Sequence, residues 1–316
     1  MPATESQAAP VRGLDAAVLG NVLGAMLASI RANEAELNQL NVFPVRDHDT
    51  GTNMAATLEG VVKAVEATRG RPMAELAAAV VDAAMLEARG NSGTILAEAL
   101  RGLFETWAPL ELVGPADLVE GFRMAAVRAE ESVLEPVEGT ILTVARATAD
   151  AMRQLAPADV SALLAGGADA AGRAVEATTA QLPVLRRAGV VDAAARGYEL
   201  CLRAFAATVA GASSGHAPAA GQAHQGPAGD GHRAAATDGE RGAGPAFEVQ
   251  YLLACDEQGL RELEGTLAAM GDSLTVARGD GRYRVHLHTD QPGAAIEEAI
   301  RRGTVSRIEI AWLGDA

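Results

Sequence analysis

The chain has few aromatic residues, two cysteines and no cluster of basic side chains. Phe, Tyr and Trp make up 3% of its 316 residues while alanine is abundant, which favours closely packed helices. Cys201 and Cys255 are too few and too isolated for a disulfide framework. No 18-residue apolar run and no signal-peptide core is present, so a soluble, cytoplasmic protein without an integral membrane segment is expected. Lys and Arg number 26 against 41 Asp and Glu, a net charge of −15, which argues against nucleic acid and anionic membranes as partners.

What the chain does carry is Asn41-Val-Phe-Pro-Val-Arg-Asp47-His48-Asp49-Thr50-Gly51-Thr52-Asn53-Met54. Asp47 and Asp49 alternate along a loop broken by Pro and Gly, so their oxygens can meet at one centre, an arrangement that suits a hard cation such as Mg²⁺. Thr50, Thr52 and Asn53 follow at the start of a helical pattern, where free N–H groups and the helix dipole favour phosphate. A second string, Ala88-Arg-Gly90-Asn91-Ser92-Gly93-Thr94, is a glycine-rich turn that lets backbone approach an anion. A cation and an anion seat together suggest a nucleotide. Each string alone also reads as ordinary helix punctuation, an N-cap in the first case and a C-cap followed by an N-cap in the second. Asp47-His48-Asp49-Thr50 is also similar to the Asp-x-Asp-x-Thr string of haloacid-dehalogenase phosphatases, although Gly51 takes the place of its threonine; those proteins need a strand before the string and βαβ units after it, and the sequence that follows here is helical.

Residues 1–13 lack periodicity and read as a disordered tail. Apolar residues at Val18, Val22, Met26 and Ile30 place a first helix within 14–40. Further helical stretches follow Asn53, run from Pro72 to the Gly90 turn, and cover about 94–106, 115–131, 139–155, 158–181 and 191–210. Eight helices without a strand make 14–210 an all-α domain. Residues 211–245 contain no Val, Ile, Leu or aromatic residue and predict a flexible linker, with His216, His224 and His232 as incidental members and not a metal tract.

The period then changes. Strands are expected at 247–254, 273–277, 283–288 and 305–312, and helices at 256–270 and 292–302, giving 246–316 the order β-α-β-β-α-β. Asp290 is the expected N-cap of the second of these helices. His286 and His288 fall on one strand face and can share Zn²⁺ if a third ligand arrives; alone, such histidines are usually exposed or hydrogen-bonded.

Taken together, the Asn41 and Ala88 strings, Pro136-Val-Glu-Gly-Thr140-Ile-Leu-Thr-Val-Ala-Arg146 and Ala188-Gly-Val-Val-Asp192-Ala resemble the bacterial fatty acid kinase family, whose first domain is similar to the nucleotide-binding L subunit of dihydroxyacetone kinases. The four motifs span residues 41–193 in order. The resemblance implies an eight-helix antiparallel barrel with ATP and Mg²⁺ at its loop end. It assigns Mg²⁺ to Asn41, Asp47 and Asp49, with the two aspartates catalytic through the metal. It assigns the nucleotide to Thr50, Thr52, Asn53, Asn91, Ser92, Gly93, Thr140 and Asp192.

The implied reaction is transfer of the γ-phosphoryl group to a fatty acid carboxylate presented by a separate, DegV-type fatty acid-binding protein, a step of phospholipid metabolism. A carboxylate is ionised at neutral pH and needs no general base, which agrees with a chain lacking an evident catalytic triad. Asn41 stands where the dihydroxyacetone branch has a third metal-binding Asp, which tilts the reading toward the fatty acid branch. A dihydroxyacetone kinase-like phosphotransferase, or a degenerate nucleotide-binding scaffold that docks a lipid-binding partner, is the alternative, and a homodimer is compatible with each.

The last segment resembles the family's middle domain, which carries His-x-His-Thr-Asp and binds zinc through both histidines and a first-strand cysteine. Here Glu248 occupies that position and Cys255 lies further along. Zinc at His286, His288 and Glu248 is expected to be structural. The chain departs from the family at Arg46-Asp47-His48-Asp49, where Pro-Asp-Gly-Asp is usual, and at Ala193-Ala194-Ala195, which replaces a glycine-rich continuation. His48 adds a Cβ, so an altered loop or weaker metal binding is expected. Longer relatives continue into a third domain used with the partner, so a natural short form, a truncated protein or a kinase of reduced activity is also expected.

Overall fold

The computed structural model describes residues 13–155, 158–214 and 245–313. The tail expected at 1–13 and the linker expected at 211–245, with its three histidines, fall outside the described residues except at their edges.

Ten helices form the first domain: α1 (Ala16–Ala32), α2 (Glu34–Leu40), α3 (Thr50–Glu66), α4 (Met73–Glu87), α5 (Gly90–Trp107), α6 (Pro115–Glu131), α7 (Ile141–Leu155), α8 (Val160–Gln181), α9 (Pro183–Ala188) and α10 (Ala193–Ser214). The expected count of eight is corrected in two places. The first helix breaks at Asn33, whose backbone leaves the helix (φ −116°, ψ 12°) while its side chain donates to Ser29 O at 2.8 Å, and the two pieces meet at 62°. Between the stretches expected at 158–181 and 191–210, Pro183 opens the short α9, because proline is pre-set for a first helical position.

The eight long helices each pack on the next, and α10 returns to α1, so the ring closes. Helices α3, α5, α7 and α10 therefore begin at one end, where α1, α4, α6 and α8 finish. Helix α5 is buried on nearly every turn, and Trp107, Phe104, Phe122 and Phe205 join edge-on or tilted inside the ring. No single described helix is long and apolar enough to cross a membrane.

The second domain runs β1 (Phe247–Ala254), α11 (Glu257–Leu267), β2 (Gly271–Arg278), β3 (Arg282–Thr289), α12 (Pro292–Ile300) and β4 (Thr304–Trp312). Its sheet is antiparallel in the order β2-β3-β1-β4. Alternation sends Val249, Tyr251, Leu253, Val285 and Leu287 into a core with α11 and α12. The other face carries Glu248, Gln250, Arg284, His286 and His288, and β3 is buried on both faces because this second face meets the helical domain. Asp290 does not cap α12, whose N-cap is Gln291. Its carboxylate instead accepts from Ala246 N–H at 2.8 Å and anchors the start of β1.

Edge strand β2 is extended by the loop between α6 and α7. Val276 N–H donates to Ser132 O at 2.9 Å, and Leu134 N–H to Leu274 O at 3.3 Å, so main chain of one domain pairs with main chain of the other. Ion pairs Arg89–Glu309, Arg282–Asp82 and Arg307–Glu87 flank this junction.

Candidate functional site

A cavity of about 470 Å³ opens between the two domains at the end where α3, α5, α7 and α10 begin. That volume is within the usual range for small-molecule sites, about 300–1,000 Å³. Asn41, Asp47, Asp49, Thr50, Asn53, Asn91, Ser92, Thr140 and Asp192 line it from the first domain. Glu248, His286 and His288 line it from the second. Four helix N-termini around one cavity supply positive potential in an otherwise acidic chain.

The loop before α3 holds its acids by amides. Asn41 Nδ2 donates to Asp47 Oδ1, and Asn53 Nδ2 donates to Asp49 Oδ2 at 2.7 Å. Burial pushes the Asp49 carboxyl up to about 7, with the charge of Asp47 adding to it. Burial likewise raises Asp47, and Glu248 adds to that shift from across the domain boundary. Glu248 is itself raised by burial. Among the described residues, one oxygen each from Asp47, Asp49 and Glu248 lies within 4.8 Å of the other two. Hard divalent cations are held by oxygen donors of this kind.

Two residues expected at the nucleotide stand apart from the cavity wall. Thr52 is exposed and turned toward α2, donating to Glu34 at 2.8 Å and accepting from Asn38 Nδ2 at 3.0 Å. Gly93 packs on Thr57, where a Cβ would collide, so it serves the contact of α5 with α3. Two N–H groups at the N-terminus of α3 are already taken, because Asn38 Oδ1 accepts from Gly51 N–H (2.7 Å) and Thr52 N–H (3.2 Å). Of the two helix starts expected to face an anion, α5 is the one with N–H groups left open. Its first helical bond is Gly93 N–H to Arg89 O at 3.0 Å, which leaves the N–H groups of Gly90, Asn91 and Ser92 without helical acceptors.

Gly90 links the two motifs. It takes φ +56°, and a side chain there would run into Asn53 Nδ2. On the opposite wall, Thr140 Oγ1 donates to Val137 O at 2.7 Å. Asp192 is buried and accepts from Ala195 N–H at 2.8 Å, so its carboxylate caps α10.

The histidine pair is neither exposed nor fully hydrogen-bonded. Both rings are buried, their Nε2 atoms are 3.1 Å apart, and each Nδ1 lacks a hydrogen-bond partner. Burial lowers His286 to about 3 and His288 to about 4, so both are neutral at pH 7. Two nitrogens on tetrahedral Zn²⁺ lie about 3.3 Å apart, so the Nε2 pair fits two positions of such an ion. Glu248 Oε1 lies 3.6 Å from the other side of His286, at Nδ1, where a carboxylate orients an imidazole. Cys255 follows the far end of β1, donating its N–H to Gly281 O, and is remote from the pair.

Residues 44–207 match the DAK2 domain family, and residues 244–315 match the FakA-like middle domain of fatty acid kinases. The chain is 32% identical over 288 residues to an uncharacterized protein of Staphylococcus saprophyticus, covering 88% of this chain and 52% of that one. It is 29% identical over 310 residues to Protein YloV of Bacillus subtilis, covering 95% and 56%. It spans about half the length of these curated relatives. A solved dihydroxyacetone kinase from C. freundii, in complex with AMP-PNP and Mg²⁺, is similar at 17% identity and a TM-score of 0.47, over 65% of this chain and 36% of that one.

Proposed function

Because the chain belongs to the DAK2 domain family of kinases, we propose that it transfers the γ-phosphoryl group of ATP to a fatty acid carboxylate. The observation that carries this reading is the meeting of the Asp47–Asp49 loop with the free N–H groups of α5 in one cavity. Asp47 and Asp49, steadied by Asn41 and Asn53, would hold Mg²⁺. Gly90, Asn91 and Ser92 would direct N–H groups at the phosphates, with Thr140 and Asp192 on the facing wall. Mg²⁺, when bound, would neutralise charge on the transferring phosphoryl group.

The remaining work is positioning. An ionised carboxylate acceptor brings its own nucleophilic oxygen, so no residue of the cavity has to remove a proton. Phe43, Leu134, Val137 and Ile141 give the cavity an apolar side suited to a nucleoside base or an acyl chain. The match of residues 244–315 to a fatty acid kinase middle domain favours a fatty acid delivered by a separate, DegV-type binding protein. The expected products are an acyl phosphate and ADP.

The test is ATP consumption in the presence of a fatty acid-loaded partner. Asp47→Asn is expected to lower the rate by about 100-fold or more, since charge stabilisation is the main catalytic contribution. Equal rates for the two proteins would remove the metal role of Asp47. Phosphorylation of dihydroxyacetone supplied with its own K-type subunit would replace the acceptor.

A further inference from the structure

The acidic cluster is shared between domains. Asp47 and Asp49 precede α3, while Glu248 is on β1, yet their oxygens come within 4.8 Å of one another. Three carboxylates at that spacing repel. Apart from a hydrogen bond between Asp47 and Asp49 themselves and backbone donors in their loop, their hydrogen bonds come from neutral amides of Asn41, Asn53 and Gln250. Among the described residues, no arginine or lysine forms an ion pair with any of the three; the imidazoles that interact with Glu248 are His286, with Nδ1 at 3.6 Å, and His288.

A second observation points to a ligand. His286 is 1% exposed, its ring lines the same cavity, and its Nδ1 faces Glu248 Oε1 without a hydrogen-bond partner. Buried polar atoms are nearly always satisfied, so an orphan beside an uncompensated acidic cluster marks a place where a missing group completes the pairing.

We propose that Glu248 is a third carboxylate ligand of the divalent cation at Asp47 and Asp49, so that one hard cation, Mg²⁺ or Mn²⁺, ties the second domain over the mouth of the first. This rests on the reading that the two aspartates hold a cation. Oxygens in an octahedral shell around Mg²⁺ lie about 2.9–4.2 Å apart, so small side-chain rotations convert the cluster into such a site. Other contacts across the boundary include the bond from Arg278 N–H to the buried Glu98 and the bond from Thr275 to Asn91, so the cation would reinforce a junction that these begin. Arg89–Glu309, Arg282–Asp82 and Arg307–Glu87 are substantially exposed pairs, and pairs of that kind contribute little. The Val133–Thr275 bridge involves a single loop. Loss of the cation leaves mutual repulsion among the three acids at the centre of the closed interface.

The experiment titrates Mn²⁺ alone into the full chain, reading free ion by its paramagnetic resonance and compaction by small-angle scattering. Wild type, Asp47→Asn and Glu248→Gln are compared after equal melting midpoints in chelator establish the fold; Glu248→Ser replaces Glu248→Gln if packing suffers. Wild type is expected to bind and compact. Asp47→Asn should lose binding, and Glu248→Gln should bind about tenfold or more weakly and stay extended, as loss of one charged ligand implies. Wild-type affinity and compaction in Glu248→Gln, with Asp47→Asn weakened, overturns the role of Glu248 alone. Unchanged binding in Asp47→Asn overturns the underlying cation reading. If Glu248→Gln loses Zn²⁺ but not Mn²⁺, Glu248 belongs to the histidine pair and the proposal fails.

Discussion

The Glu98 carboxylate of α5 accepts from the Arg278 N–H of β2 at 2.6 Å and from Arg101 at 2.9 Å, joining the central helix of one domain to an edge strand of the other. Burial pushes its pKa from 4.5 up to about 7, against the pull of Arg101 and of the Arg278 N–H. The folded chain thus holds this proton more tightly than the unfolded one. The resulting stability is fully present below about pH 4.5 and is lost as pH rises through about 7. The loss is on the order of 3 kcal/mol at about 1.36 kcal/mol per pKa unit. Urea unfolding at pH 5 and pH 8 should show a steeper decline for wild type than for Glu98→Gln, which keeps the acceptor and removes the charge. Parallel declines would show that Glu98 stays ionised throughout.

Gly90→Ala should damage the site more than the fold. An alanine at φ +56° costs about 1–2 kcal/mol. Its Cβ would also push Asn53 Nδ2 away from Asp49 Oδ2, which that amide now holds at 2.7 Å. Calorimetric titration with Mn²⁺ should report at least about a tenfold loss of affinity, by analogy with other losses of ligand support. Unaltered affinity would mean that Asn53 does not position the acid.

The eight long helices and the β-α-β-β-α-β order were legible because periods of 3.6 and 2 are local properties of the chain. The break at Asn33 was not, since the apolar spacing continues across it and a side-chain bond to Ser29 decides the bend. The acid pair at Asp47 and Asp49 could be found from its spacing and its place before a helix. That Thr52 faces α2 was hidden, because Asn38 and Glu34 lie on a helix that periodicity alone merges with α1. Nothing local tells that Glu248 meets Asp47 and Asp49, since the packing of one domain on the other brings them together. The burial of His286 and His288 has the same origin. Their strand face reads as half-polar, and the helical domain covers it.

Asp192 separates capping from charge. Its carboxylate caps Ala195 N–H, while burial raises its pKa from 3.8 to about 6 against the hydrogen bonds of Ala195 and Ile141. Its contribution is therefore complete below about pH 3.8 and lost as pH rises through about 6. At pH 7.5 and without ligand, Asp192→Asn keeps an acceptor and sheds the desolvated charge, so its unfolding free energy should equal or exceed that of wild type. Asp192→Ala loses the cap and should fall by about 1 kcal/mol. An Asn variant as unstable as the Ala variant would show that the negative charge itself holds the start of α10.

His48 occupies the position whose side chain was expected to disturb the metal loop, and it does take φ +58°. The strain of a non-glycine residue there is about 1–2 kcal/mol. Two effects oppose the relief that His48→Gly would bring. Glycine adds about 0.5–1 kcal/mol of unfolded-chain entropy, and the exposed bond from His48 Nδ1–H to Asn38 O, 2.9 Å long, would be lost at a cost near the low end of about 0.5–1.5 kcal/mol. These terms nearly cancel, so the variant should unfold within about 1 kcal/mol of wild type. Because the ring points to α2 and the carboxylates of Asp47 and Asp49 already meet, Mn²⁺ affinity should stay within about threefold, well under 1 kcal/mol. A tenfold gain in affinity on His48→Gly would show instead that the histidine holds the loop away from its best metal geometry.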